Sequence, residues 1–162
     1  MTPLRHEFSA LALVLSLLVS GLAFVPYAAI AQSGSWDRAE TIRSAATEIA
    51  EIQKSNGADG ADAAIRQCYE ENVMKATAYS QGAERCVTQD MLHARVSAAF
   101  YASVSPEVRK STGSPEPDAV MSAMADRVMR TFARFGVPVG DARAIVKDIQ
   151  EIGEPAFRDA RL

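Results

Sequence analysis

Apolar residues recur at spacings of three and four from Trp36 to Ile152, and they alternate with polar ones almost nowhere. That period matches one face of an α-helix, so the chain has little from which to build a sheet. Trp36, Ala39, Ile42, Ala46, Ile49 and Ile52 form the first stripe, which Ser35 can cap. Asn56-Gly57 and Gly60 are expected to end it, because both residue types tolerate a left-handed helix stop. A second helix is expected from Asp59 or Ala61, with Ile65, Cys68, Tyr69, Val73 and Ala76 inward. A third, Ala83 to Val104, presents Cys86, Val87, Met91, Ala94, Ala98, Tyr101 and Val104.

Ser105-Pro106-Glu107 reads as a cap with proline at the first helical position, good for a short extra turn. Ser111 to Pro117 is expected to be a loop. The fourth helix, Asp118 to Phe135, turns Val120, Met121, Met124, Val128, Phe132 and Phe135 inward, and Gly136 stops it. The fifth opens at Asp141 and buries Ala142, Ile145, Ile149 and Ile152. Gly153 and Pro155 are expected to stop it, with Phe157 folding back as a closing contact. No such helix can cover its stripe alone. The expected fold is all-α, a small bundle of about five amphipathic helices in one domain, residues 32–162.

Ahead of that domain, residues 1–31 read as a cleavable signal peptide. Arg5 lies in the short charged start, Phe8 to Val25 is an uncharged apolar run, and Pro26 ends it. Ala29 and Ala31 supply small side chains at −3 and −1, so cleavage is expected between Ala31 and Gln32. The protein is then periplasmic or secreted, with no membrane span left after cleavage. The alternative is a membrane-tethered module in which residues 8–25 stay as an anchor.

The chain has 162 residues, with 17 Lys+Arg against 20 Asp+Glu. Taking away Arg5 and Glu7 with the leader leaves 16 basic and 19 acidic residues. So small a net charge gives no broad field for phosphate backbones, and nucleic acid is not an expected partner. Cys68 and Cys86 are the only cysteines, and an oxidising compartment favours a disulfide between them. A bridge sets a geometric condition: the second helix must end by about residue 78, since bridged Cα atoms lie within about 7 Å. A single helix through both would hold them about 27 Å apart.

Motifs for chemistry are few. His93 is the only histidine beyond the leader, and Asp90 precedes it by three residues, so one helix face can carry a carboxylate beside an imidazole. These are the candidate catalytic residues for a small hydrolase or metal-dependent enzyme. The plainer expectation is a surface or boundary histidine with a local hydrogen bond. No HExxH, GxSxG or CxxCH occurs, so no metal and no cofactor is expected. Glu70-Glu71 reads as a solvated edge, and Met121 and Met124 as core filling ahead of a soft-metal surface. Arg127, Arg130 and Arg134 read as a solvated flank paired with Asp126 and nearby acids.

Glu84-Arg85-Cys86, followed by Asp90, Ala98, Phe100 and Tyr101, resembles the cysteine-to-tyrosine segment of exported lysozyme-inhibitor-like helical proteins. That family usually carries four cysteines, with a shorter spacing than Cys68–Cys86. The resemblance implies an inhibitor-type role in the periplasm. The residues themselves favour a non-catalytic binding or envelope-associated module, whose partner is an unknown protein or envelope component.

Overall fold

The computed structural model describes residues 36–162. The expected signal peptide, its cleavage point before Gln32, and the cap at Ser35 lie outside the described residues. Within them the protein is all-α, and no strand occurs among the described residues.

Helix α1 spans Arg38–Tyr69, and Asp37 caps it by accepting from the Glu40 backbone N–H at 3.0 Å. Gly57 breaks α1 into two limbs, with φ 70° and ψ −169°, a conformation that a side chain would strain. The expected break is therefore present, at Gly57 alone; Gly60 stays helical. The second limb runs into a π-helical turn, Glu70–Met74, and helix ends there. Ser80 then caps α2, Gln81–Ser103, by accepting from the Ala83 N–H at 3.2 Å.

Helix α3, Pro106–Thr112, is short, carries proline in its first turn, and ends at left-handed Gly113. It takes part of the segment expected as loop. Arg109 fastens it: its guanidinium donates to the carbonyls of Tyr101 (2.9 Å) and Val104, which end α2, and to Glu116 at 3.0 Å. Helix α4 is Pro117–Arg134 and α5 is Val139–Asp148.

The expected stop at Gly153-Pro155 is not a stop. A π-helical turn, Ile149–Gly153, carries the rod into α6, Glu154–Arg161. Pro155 explains the wider turn. It has no N–H to donate, and its ring would strike the carbonyl four residues back in a regular helix. The Glu154 N–H bonds instead to the Ile149 carbonyl. Gly153 itself lies against the core, where a Cβ would sit 3.2 Å from Ile42 Cγ2 and 3.4 Å from Leu92 Cδ1. Phe157 is buried beyond it, as expected of the closing contact.

Two limbs of α1, then α2, α4 and the α5–α6 rod make the five amphipathic pieces, with α3 as an addition. Helix α2 is their centre. It packs on α1, on α4 and on the π turn before α6. Every residue from Ala83 to Ala94 except Arg85 is buried. The main core joins Ile42, Ile49, Val87, Leu92, Phe132 and Ile145.

Cys68 and Cys86 form a disulfide with Cα atoms 5.5 Å apart. Its geometric condition is met, because the helix ends at Met74 and the chain returns over 75–80. Cys86 is fully buried beside Val73 and Ala83. Unfolded-chain entropy sets the expected outcome of removing the bridge. The Cys68→Ala/Cys86→Ala protein should lose about 3 kcal/mol of unfolding free energy, read from denaturant titration without reductant.

Candidate functional site

The buried face of α2 is not only apolar. Glu84, Thr88, Gln89, Asp90 and His93 all lie inside. A buried carboxylate is costly unless it is paired and hydrogen-bonded, so the partners of these acids define the local structure.

Glu84 is fully buried and accepts from Trp36 Nε1 and Arg38 Nε, each at 3.1 Å. The Tyr79 ring stacks in a tilted cluster with Trp36 and Phe132, and its hydroxyl is buried with no hydrogen-bond partner. Burial first, and the nearby Glu84 carboxylate second, push the Tyr79 phenol far above its ordinary range.

Asp90 has a side chain only 1% exposed, and it receives Arg127 in a two-pronged contact. Nη2 donates to Oδ1 at 2.7 Å and Nε to Oδ2 at 3.0 Å, while the Tyr69 hydroxyl donates to Oδ2 at 3.1 Å. The hydrogen bonds to Asp90 raise the Arg127 pKa further above its ordinary value. Burial first, then the Asp90 carboxylate, push Tyr69 up as well. Arg127 is therefore not part of a solvated flank paired with Asp126; its partner is an acid 37 positions away. Arg134 donates to the Met74 carbonyl at 3.1 Å, again across elements.

His93 is buried, deeper than the surface or boundary position expected, and no hydrogen bond joins it to Asp90 among the described residues. Its Nε2 lies 3.2 Å from Asp62 Oδ1 and 3.4 Å from Ser97 Oγ, while Nδ1 is buried without a partner. The two candidate residues thus have separate partners. A Ser-His-Asp relay needs one ring nitrogen for the serine and the other for the carboxylate. Here Ser97 and Asp62 share the same nitrogen.

Both residues nevertheless line one groove of about 340 Å³. The second limb of α1 contributes Ala58, Asp59 and Asp62, and α2 contributes Asp90, His93, Ala94, Ser97 and Tyr101. The third wall is Pro115, Ala119, Val120, Ala123 and Arg127, on α4 and its lead-in. Asp59 and Asp62 carry no apolar signal and sit just past the kink, so periodicity gave no reason to single them out.

Elsewhere, Glu70 and Glu71 are exposed, as expected of a solvated edge. Met124 is buried and Met121 packs against the core, whereas Met74 and Met129 are exposed. Among the described residues, no three His, Cys, Asp or Glu side chains are placed to hold a metal ion, and no helix is long and apolar enough to cross a membrane. No family model, curated protein or solved structure matches this chain.

The pairing has two measurable consequences. Arg127→Met strands a buried carboxylate, and the half-exposure of Arg127 moderates the cost to about 2–3 kcal/mol in denaturant unfolding. The Asp90→Asn/Arg127→Met double variant should lose less than the sum of the two single losses. The phenols set a pH dependence. Tyr69 and Tyr79 have pKa values raised by folding, so the folded state holds protons that the unfolded chain releases above about pH 10. Their contribution is complete below that pH and is lost as pH rises beyond it. In alkaline titration Tyr69 and Tyr79 should form phenolate only as the helical circular-dichroism signal collapses.

Proposed function

We propose that this chain is an exported helical module that acts by binding an envelope component or another protein rather than by catalysis. The observation that carries the reading is the Cys68–Cys86 bridge in a chain that opens with an export-type segment. Disulfides of this kind persist in oxidising compartments and are rare in the cytosol. The non-catalytic part is supported by the commitments of the candidate residues. Asp90 spends both oxygens on Arg127 and Tyr69, and His93 meets Asp62 and Ser97 through one nitrogen.

One observation favours a second reading, a small hydrolase: His93 borders a groove with two polar groups within hydrogen-bonding reach. A turnover activity abolished by His93→Ala in a still-folded protein would install that reading in place of the first.

Cell fractionation with N-terminal sequencing and thiol labelling tests the export reading. The expected result is periplasmic or secreted protein beginning at Gln32, with both cysteines resistant to alkylation until reduced. Membrane-bound protein that retains Met1 would make it a tethered module. Full-length cytosolic protein with both thiols reactive would overturn export altogether.

A further inference from the structure

We propose that Cys68 is the site at which an organic disulfide donor meets this protein, with Cys86 held inside the packed bundle as the resolving thiol. The two sulfurs stand in different surroundings. Cys86 has no exposed surface and shares its cluster with Val73 and Ala83, against which Tyr69, Tyr79 and Phe135 pack. Cys68 is only partly buried, and it lies on the wall of a groove of about 340 Å³ between α1 with its π turn and the start of α2. Exchange requires one sulfur to reach another directly, so access decides which cysteine reacts first. A donor entering that groove meets Cys68.

The polar groups around the two sulfurs differ in the same sense. The Asn72 amide Nδ2 lies 3.8 Å from Cys68 Sγ and donates to the Cys68 carbonyl at 3.1 Å. Gly82 makes room for that amide, since a Cβ there would lie 2.4 Å from Asn72 Oδ1. The thiolate, not the thiol, is the nucleophile, and an amide donor beside Cys68 steadies it. Apolar enclosure of the kind around Cys86 disfavours a thiolate. The charged groups of the groove are already engaged: Arg85 pairs with Glu48, and the Gln67 amide donates to Glu71 at 2.9 Å.

Bridge formation then follows a fixed order. The Cys68 thiolate attacks one sulfur of a donor RSSR, forms Cys68–S–S–R and expels RS⁻, which takes up the proton that Cys68 released. Cys86 next gives up its proton, and its sulfur attacks Cys68 Sγ. The bond to R breaks, and the second RS⁻ leaves and takes that proton. Two cysteine thiols are oxidised and one donor disulfide is reduced to two RSH. With the Cα atoms 5.5 Å apart in the packed fold, the second step needs no long-range movement.

The test uses the purified protein, reduced and kept under native conditions, with helical circular dichroism as the check on folding. Partial alkylation with iodoacetamide and peptide mapping should label Cys68 at least ~10-fold faster than Cys86, and both about equally in urea. The donor probe is bis(2-hydroxyethyl) disulfide, which is small and neutral. Folded Cys86→Ala should form its mixed disulfide within about threefold of the rate of its urea-unfolded chain, whereas folded Cys68→Ala should react at least ~100-fold slower than its own unfolded chain. Faster or equal labelling of Cys86 in the folded protein, or a folded Cys68→Ala that reacts as fast as Cys86→Ala, overturns the proposal. So does a reduced chain without helical signal, because the order requires the bundle to pack before the bridge forms. Both measurements are made on purified protein, so their failure leaves the export reading standing, and a cytosolic location would leave the order of reaction standing.

Discussion

Two carboxylates buried on one central helix constrain the rest of this bundle. Glu84 and Asp90 lie on α2, which is enclosed for most of its first three turns. Neither acid is tolerable there unless charge is brought to it. Arg38 comes from the start of α1 and Arg127 from the middle of α4, so each acid recruits a different neighbour. Tyrosines accompany both: Tyr69 donates to Asp90, and Tyr79 lies near Glu84. Compared with an apolar helix of equal volume, such pairs add little net stability, since desolvation offsets most of the attraction. Their effect is on register. Sliding α4 one turn along α2 would strand Asp90, a loss of several kcal/mol that an all-alanine interface would not impose.

The same demand for close approach around α2 explains the two π-helical turns. One precedes the disulfide-linked return, and its Asn72 amide donates to the Cys68 carbonyl at 3.1 Å. The other absorbs Pro155 while keeping Gly153 against Ile42 and Leu92. In both places a regular α-helix would misdirect the next part of the chain, α2 in the first case and Phe157 in the second. The widened turn keeps most backbone bonds and changes direction within one turn. At Glu70–Met74 no proline is present, and the enclosing packing of Val73 beside Cys86 and Ala83 takes its place.

Much of this architecture was legible in the residues. The stripes on α1, α4 and α5 map onto the core, because an exposed helix advertises its buried side by contrast with a polar one. Gly57 was legible for a backbone reason and Ser105-Pro106 for a capping one. Helix α2 was only half legible. Its apolar residues were found, yet periodicity gave no sign that Glu84, Gln89, Asp90 and His93 are buried, because it assumes that polar residues point outward. An enclosed helix breaks that assumption. The pairing of Arg127 with Asp90 had no local signal either, since the nearest acid in sequence, Asp126, points elsewhere around the helix. Pro155 misled in the opposite direction: it reads as a stop, and the π turn makes it a passage.

The groove arises from the same enclosure and its interruption. Gly57 redirects α1, and the limb beyond it brings Asp59 and Asp62 to the side of α2 where His93 lies. Inside, the charges are settled among Asp90, Arg127 and Tyr69; at the lip Asp62 meets the His93 imidazole at 3.2 Å. That division separates acids that set the register of the helices from acids that remain at the solvent edge. Substituting Asp90 undoes the inner set, because it releases Arg127 and removes the acceptor for Tyr69. Asp59 and Asp62 at the lip are exposed and bear little of the packing, and Asp62 is the carboxylate beside the buried His93 imidazole. The bundle thus takes its register from acids that solvent never reaches, while Asp62 at the edge of the groove stays 56% exposed.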